Sequence, residues 1–171
     1  MQIDRTRQAL DYPRVTCVFL CHDAAGRVLL HQRSHATRDN HGVWDCGAGA
    51  LEHGESMQAA VARELREEYC AEAGDISLAA VRNVVRSGPQ GLTHWVALVF
   101  SVRLTVDEVA IGEPEKMSAI GWFAVDRLPS PLHPALPGQI SAFQRLGLLP
   151  GSLEDRPRAG SPGVEVVEVR D

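Results

Sequence analysis

A short stretch near the middle of the chain, residues 56–71, has the clearest helical periodicity and so constrains the fold most. Its apolar side chains recur at every fourth position, which places them on one slowly drifting stripe of an α-helix. They are Met57, Val61, Leu65 and Tyr69. Ser56 is a suitable N-cap, because its hydroxyl can accept a hydrogen bond from a free amide in the first turn. We predict a helix that begins after Ser56, ends between residues 71 and 74, and packs this stripe against a core.

The segments on both sides of this helix favour β-structure. They are apolar or alternating runs, separated by turns that contain glycine, proline and aspartate. The predicted strands cover residues 15–21, 27–33, 43–46, 76–85, 93–106 and 120–125, with a short second helix at 139–146. A mainly β body with one strongly marked central helix indicates a mixed α/β fold.

The length and composition fit one globular domain. The chain has 171 residues, of which 44% are hydrophobic and 23% charged, and a chain of this size can build a core without a disulfide or metal staple. We therefore interpret residues 1–171 as a single domain with a polar N-terminal arm, residues 1–13. In the C-terminal tail, residues 150–171, the alternating segment 164–169 is either a docked edge strand or disordered.

Charge and hydropathy argue against two classes of partner. The chain has 17 basic and 22 acidic residues, a net charge of −5, whereas DNA and anionic membranes attract a basic surface. The longest apolar run, Trp95–Phe100, is much shorter than a membrane-spanning helix requires. The start of the chain has no apolar signal segment, and the four cysteines show no Cys-x-x-Cys spacing. We expect a cytoplasmic protein with reduced thiols, no nucleic-acid partner and no membrane contact.

The central helix also carries a cluster of carboxylates. At about 100° per residue, Glu64, Glu68 and Glu67 fall at roughly 0°, 40° and −60°, so they share one sector beside the apolar stripe. Like charges at this spacing repel, and Arg63 can neutralise part of the charge by pairing with Glu67. A divalent cation such as Mg²⁺ or Mn²⁺ would neutralise more, because both prefer oxygen ligands. A solvated, salt-bridged helix face is the alternative.

The spacing of these residues resembles the signature of the Nudix hydrolases, G-x5-E-x7-R-E-U-x-E-E-x-G-U, in which U is aliphatic. The matching positions are Gly49, Glu55, Arg63, Glu64, Leu65, Glu67 and Glu68. Cys70 stands where the family usually has glycine, and Gly74 is the candidate to stop the helix instead. Similarity extends to residues 43–45, 113–116, 122–123 and 128–129. The resemblance implies a Nudix-type α/β/α sandwich around a mixed β-sheet.

The resemblance also implies an activity and a metal site. The family's loop–helix–loop motif binds a divalent cation, Mg²⁺ with Mn²⁺ as a substitute, against the diphosphate of a nucleotide that is hydrolysed. The motif glycines here are Gly49 and Gly54. The other implied roles are metal ligation by Glu67 and Glu68, metal ligation or base catalysis by Glu64, possible ligation by the carbonyl of Ala48, and orientation of the carboxylates by Arg63 and Glu55.

Outside the motif, further residues are candidates for the same site. Many members of the family supply one more glutamate from a later loop, and here this is Glu113 or Glu115. Arg33, Arg38 and Lys116 are candidates to contact phosphate. The three tryptophans, Trp44, Trp95 and Trp122, are assigned to the core rather than to base stacking. The expected partner is a small nucleotide, and a monomer and a homodimer are both open.

Several functions are compatible with this sequence. The favoured one is metal-dependent hydrolysis of nucleoside di- or triphosphates by water, with release of a nucleoside monophosphate. Nucleotide sugars and dinucleoside polyphosphates are alternative substrates of the same chemistry. Two alternatives of other classes are an isopentenyl-diphosphate isomerase, in which Cys46 would be the reactive cysteine, and a non-catalytic nucleotide sensor.

Overall fold

The computed structural model describes residues 12–23, 25–37, 39–88, 91–104, 109–149 and 165–170, with residues 87–88 and 165–170 described through the backbone alone. Most of the predicted N-terminal arm, Arg38 and most of the C-terminal tail lie outside these residues. Among the helices of this part of the chain, none is both long and apolar enough to cross a membrane.

An eight-stranded mixed sheet forms the body of the described structure. Its main path has the order β3-β2-β1-β6-β5-β8, with β4 paired to β1 and β7 to β2. Strand β1 runs parallel to β6, and β5 parallel to β8, whereas the other pairs are antiparallel. The strands are β1 (Arg14–His22), β2 (Arg27–Arg33), β3 (Trp44–Asp45), β4 (Gly47–Ala50), β5 (Ile76–Gly88), β6 (Gly91–Arg103), β7 (Met117–Ala124) and β8 (Glu165–Arg170).

Within the described residues, one helix packs on each face of this sheet. Helix α1 (Met57–Tyr69) and helix α2 (Leu136–Arg145) belong to two separate core clusters. Because successive side chains of a strand point to opposite faces, β1 supplies Phe19 to the core beneath α1 and Leu20 to the core beneath α2. The predicted α/β/α sandwich around a mixed sheet is therefore confirmed.

The apolar stripe of α1 packs through three of its four predicted members. Val61, Leu65 and Tyr69 are fully buried, and burial of each aliphatic side chain contributes about 1.5–3 kcal/mol. Met57 is 38% exposed, so its assignment to the buried stripe is wrong. The first turn of α1 lies at the edge of the contact with the sheet, and Ser56 caps it as predicted by accepting from the amide of Ala59 at 3.1 Å.

Both helices differ from the prediction at one end. Helix α1 ends at Tyr69, because Cys70 adopts a left-handed φ of 53° as its C-cap, and Gly74 therefore does not stop the helix. Helix α2 begins at Leu136 rather than at residue 139. Pro137 lies in its first turn, where the missing N–H has no helical acceptor to lose.

Strands β5 and β6 form a longer hairpin than predicted. Their pairing continues from Val84–Trp95 to Gly88–Gly91, so the stretch 86–91, expected to be a turn, is strand at both of its described ends.

Candidate active site

Arg63 joins the loop before α1 to the carboxylates on the helix. Its guanidinium donates to both carboxylate oxygens of Glu55, from Nη2 at 2.8 Å and from Nε at 3.3 Å. Nη1 donates to Oε1 of Glu64 at 2.7 Å and to Oε2 of Glu67 at 3.3 Å. Glu55 and Glu64 raise the pKa of Arg63, and Arg63 with the amide of Glu52 holds the pKa of Glu55 below its usual value. The two-pronged Arg63–Glu55 pair thereby fixes the loop against the helix.

The loop itself depends on one left-handed glycine. Gly54 has a φ of +88°, a conformation that costs a residue with a Cβ about 1–2 kcal/mol. The turn brings the amide of Glu52 to Oε1 of Glu55 at 2.7 Å. Glu55 consequently accepts hydrogen bonds from both the loop amide of Glu52 and the guanidinium of Arg63. Glycine is favoured at position 54 because the turn that allows this needs a left-handed φ.

Glu64 lies against β4 at a point where only glycine fits. A Cβ on Gly49 would stand 1.8 Å from Cδ of Glu64, and Thr16 of β1 holds the strand there by donating to the carbonyl of Gly49 at 2.9 Å. Burial raises the pKa of Glu64, while its hydrogen bond from Arg63 acts in the opposite direction. Gly49 therefore makes room for a half-buried carboxylate.

Glu68 is the most enclosed carboxylate of the motif. Its side chain is buried, with 6% of the residue exposed, and its Oε2 makes no hydrogen bond within the described residues. Burial, then Glu64 and Glu113, raise the pKa of Glu68 well above its usual value, whereas Lys116 and the backbone of Ala48 lower it. An enclosed carboxylate oxygen without a partner is costly, so this atom is suited to receive a ligand.

Glu67 lies at the outer edge of the same cluster, with 52% of its side chain exposed. Of the three carboxylates that were predicted to share one sector, Glu67 is thus exposed, Glu64 half-buried and Glu68 buried. In the described part of the chain, no three His, Cys, Asp or Glu side chains are already grouped closely enough to hold a metal ion. Arg63 holds one oxygen each of Glu64 and Glu67 and supplies the positive charge beside them.

The loop that precedes β7 closes over the C-terminus of α1. The amide of Ala110 donates to the carbonyl of Tyr69 at 3.0 Å, and the amide of Gly112 to that of Glu68 at 2.9 Å. A Cβ on Gly112 would stand 1.9 Å from the carbonyl oxygen of Glu67. This glycine allows the loop to approach closely enough to satisfy helix carbonyls that have no intrahelical donor.

The same loop brings Glu113 to the motif and leaves Glu115 outside. Glu113 lies close enough to raise the pKa of both Glu64 and Glu68, and its Oε1 accepts from Nζ of Lys116 at 2.6 Å. Its Oε2 is enclosed without a partner in the described structure. Glu115 is exposed. Of the two predicted alternatives, only Glu113 is placed where it could contribute an oxygen.

A cavity of about 310 Å³ opens beside Glu68, and we call it the first cavity. Its polar lining combines the buried carboxylate with two cationic side chains that were predicted to contact phosphate, Arg33 and Lys116. Arg33 is held in place by Asp39, from Nη2 to Oδ1 at 3.0 Å. The remaining lining residues are His31, Ala36, Thr37, Asp45, Cys46, Ala48 and Met117.

A second cavity of about 280 Å³ adjoins the first, with which it shares Arg33, Asp45, Cys46 and Ala48. Its other walls come from β1, β5, β6 and the segment that leads into α2, with Arg82, Trp95, His133 and Gln139 among them. Asp45 lies between Arg33 at 3.8 Å and His133 at 3.9 Å. Burial raises the pKa of Asp45, and His133 and Arg33 oppose that rise.

Comparison with known protein families identifies the family of this chain. A family model described as the NUDIX domain matches residues 11–146. The chain belongs to the Nudix hydrolase family. The predicted family is therefore confirmed.

Two curated Nudix relatives are NAD-capped RNA hydrolases named NudC. The protein of Citrobacter koseri is 31% identical over 121 residues, which cover 69% of this chain and 42% of that protein. The protein of Mycobacterium tuberculosis H37Rv is 32% identical over 154 residues, which cover 84% of this chain and 43% of that protein. The chain thus spans less than half the length of the curated relatives it matches.

Solved Nudix structures share the fold. The MutT NUDIX hydrolase of Burkholderia pseudomallei is 31% identical, with a TM-score of 0.68 over 77% of this chain and 98% of that one. The NUDIX domain of Shewanella oneidensis NrtR, solved with ADP ribose, superposes with a TM-score of 0.64 over 80% of this chain and 90% of that one. At 17% identity, this second likeness shows the fold alone.

The structure brings most of the predicted Nudix site together around the first cavity and the loop before α1. Arg38 lies outside the described residues, and Glu115 is exposed and lines neither cavity. Five polar residues that line the cavities were missed by the sequence analysis: His31 in the first cavity, Arg82, His133 and Gln139 in the second, and Asp45 in both. One of them had a signal in the sequence, because Arg82 interrupts the apolar run of β5.

Two further predictions concern single side chains. Trp95, assigned to the core, is only half-buried and lines the second cavity. Burial raises the pKa of the Cys46 thiol well above its usual value, and that thiol lies 3.2 Å from Oε1 of Gln139. A reactive cysteine needs an accessible thiolate, so the environment of Cys46 argues against the isomerase alternative.

Proposed function

We propose that this chain hydrolyses, with a divalent cation, a phosphoanhydride bond of a nucleoside diphosphate that is linked to a further phosphate or other group. Water attacks at phosphorus, and a nucleoside monophosphate is released. Simple nucleoside di- and triphosphates are the first substrates of this proposal.

The observation that carries the proposal is the enclosed, unpartnered Oε2 of Glu68 beside a cavity that Arg33 and Lys116 also line. Such an oxygen fits a hard cation, since burial of a carboxylate is compensated by a positive charge placed against it. Carboxylate and carbonyl oxygens are the donors that Mg²⁺ and Mn²⁺ prefer. The residues that would hold the ion are Glu68, Glu64, Glu67, the carbonyl of Ala48 and Glu113.

In the proposed reaction, the bound cation supplies charge neutralisation and Lewis acidity. The side chains orient the reacting groups and accept the proton. Arg63 keeps the carboxylate of Glu64 in one orientation through its 2.7 Å hydrogen bond. Because burial raises the pKa of Glu64, this carboxylate accepts a proton from an attacking water more readily than an exposed glutamate does.

Fixed cations and cavity shape support the binding of the rest of the nucleotide. Lys116 and Arg33 line the first cavity, where they can neutralise phosphate oxygens without reorganising. The second cavity shares Asp45 and Cys46 with the first and is also lined by the half-buried ring of Trp95. We place the phosphates in the first cavity and the nucleoside in the second.

The test is a panel of nucleoside di- and triphosphates, nucleotide sugars and dinucleotides, each incubated with Mg²⁺, with Mn²⁺ and with a chelator. The expected result is metal-dependent release of a nucleoside monophosphate, with phosphate and pyrophosphate measured separately. Glu68→Gln is expected to abolish turnover, and Glu115→Gln is the matched surface control that keeps it. No hydrolysis of any member by the folded, metal-supplied protein would refute the proposal.

A dinucleotide is the second candidate substrate. Two observations favour it: relatives at 31–32% identity are named NAD-capped RNA hydrolases, and the first cavity continues into a second one large enough for another group. A capped RNA adds a long polyanion, which a chain of net charge −5 attracts poorly, so free NAD and NADH are tested first. Release of two mononucleotides with the highest kcat/KM of the panel would establish this candidate.

A further inference from the structure

A buried imidazole lines the first cavity and has no role in the mechanism above. His31 is 5% exposed and lies on β2 between Asp45 of β3 and Ile120 of β7. It lines the cavity together with Glu68, Arg33 and Lys116. A buried polar ring calls for a defined hydrogen-bond partner.

The partner on one side is Tyr69, the last residue of α1. Its hydroxyl lies 2.8 Å from Nδ1 of His31, and Tyr69 is fully buried. Within the described residues, this hydroxyl makes no other hydrogen bond. Because a buried O–H without an acceptor is costly, the hydroxyl of Tyr69 donates and Nδ1 of His31 accepts.

This direction places the proton of the ring on the other nitrogen. A neutral imidazole carries one N–H, so accepting at Nδ1 leaves the proton on Nε2. Burial, with a smaller effect from Arg33, lowers the pKa of His31 to about 4, and the ring is neutral near pH 7. Nε2 has no hydrogen-bond partner in the described part of the chain, which leaves its N–H as a donor to the cavity.

We propose that His31 binds a phosphate oxygen of the substrate through Nε2–H, and that Tyr69 is the positioning residue that keeps the proton on that nitrogen. The inference deepens the proposed function and rests on it for the identity of the substrate. A neutral donor adds direction to the charges of Arg33 and Lys116, and it places no further positive charge against the carboxylates that would hold the cation.

The first test uses the unmodified protein, labelled with ¹⁵N at histidine, with methylenediphosphonate and Mg²⁺ as the probe. Long-range ¹H–¹⁵N correlation spectra report the tautomer of His31, assigned by comparison with His31→Gln. We expect the Nε2–H form in the free protein and a shift of the Nε2 resonance as the probe saturates the site. The Nδ1–H form, or an unchanged resonance at saturation, would overturn the proposal.

Substitutions provide the second test. His31→Phe removes the donor and is expected to weaken methylenediphosphonate binding about tenfold or more, the range for hydrogen bonds to charged groups. His31→Gln retains an N–H at about the same place and is expected to stay within about threefold of the wild type. Tyr69→Phe frees the tautomer and is expected to fall between the two, with the His31 spectrum changed.

The matched control is His22→Phe, because His22 is also a strand histidine with one side-chain hydrogen bond, to Ser101 at 2.9 Å, and does not line either cavity. Loss of binding in His22→Phe to the same extent would assign the effect to folding and overturn the proposal. Equal binding of methylenediphosphonate by His31→Phe and by the wild type would also overturn the proposal. The phosphonate experiment needs no hydrolysis, so failure of the nucleotide panel is distinguishable from failure of this inference.

Discussion

The proposed catalytic side of the site and the second cavity are built in different ways. On the catalytic side, Arg63 and its partners Glu55, Glu64 and Glu67 span thirteen positions of one contiguous segment, and the same segment supplies Ala48 and Glu68 to the lining of the first cavity. The second cavity collects side chains from β1, β5, β6 and the approach to α2. The residues proposed for hydrolysis are therefore encoded locally, whereas those proposed for recognition are distributed over the fold.

The largest expected effect separates activity from stability on the catalytic side. Glu68→Gln is expected to lower kcat about 1,000-fold or more. It removes a carboxylate oxygen proposed to hold the cation, and that cation would neutralise the charge of the phosphate. The melting temperature is expected to stay equal or to rise, since a buried carboxylate without a partner is lost. Steady-state kinetics and calorimetry measure the two. A variant that lost stability but kept its rate would show that Glu68 is structural.

The next effect concerns acid stability on the same side. The pKa of His31 is lowered from 6.5 to about 4 in the folded protein. The unfolded chain therefore binds more protons between these values, and His31 costs up to about 3 kcal/mol of stability as the pH falls from 6.5 to 4. Urea unfolding across this range is expected to show a shallower loss in His31→Phe than in the wild type. Parallel curves would contradict the lowered pKa.

A pair of glycine substitutions compares the two regions directly. Gly49→Ala places a Cβ 1.8 Å from Cδ of Glu64 and is expected to cost about 1–3 kcal/mol of unfolding free energy together with most of the activity. Gly138→Ala, beside Arg82 at 3.5 Å, is expected to stabilise α2 by up to about 1 kcal/mol. Chemical denaturation measures both. An equal change in unfolding free energy for Gly49→Ala and Gly138→Ala would show that the space around the two glycines does not differ in its effect on stability.

A substitution in the second cavity is expected to affect recognition rather than chemistry. Trp95→Leu is expected to raise KM for the best nucleotide about three- to tenfold, with kcat changed less than about twofold. A base stacked on Trp95 would be bound equally strongly in the ground state and in the transition state, so its loss would weaken binding and leave the chemical step unchanged. Trp122→Leu on β7, which does not line either cavity, is the control. If kcat rather than KM falls in Trp95→Leu, the nucleoside is not placed there.

The smallest expected effect is at the end of the motif helix. Cys70 has a φ of 53°, a conformation that glycine adopts without a steric cost. Cys70→Gly is expected to stabilise the protein by about 0.5–1 kcal/mol, the net of relieved strain and the greater chain entropy of glycine. Cys70→Ala keeps the strain and is expected to give no such gain. Thermal unfolding of both variants tests this.

Sequence spacing alone predicted the central helix, its N-cap, the mixed α/β class and the family, because each depends on residues close together in the chain. Glu55, Arg63, Glu64, Glu67 and Glu68 share one loop and three turns of helix, so their proximity follows from helical geometry. Rotation angles alone could not predict that Glu68 is enclosed and Glu67 exposed, since the sheet and the loop before β7 decide that difference.

Only the tertiary structure decided which distant residues meet this segment. Glu113 rather than Glu115 reaches the carboxylates because Gly112 allows its loop to dock on the helix end. His31 meets Tyr69, and Asp45 meets His133, across separations that no local periodicity encodes. The physical reason is that side-chain packing between elements, and not the propensity within any one of them, sets the register in which these contacts form.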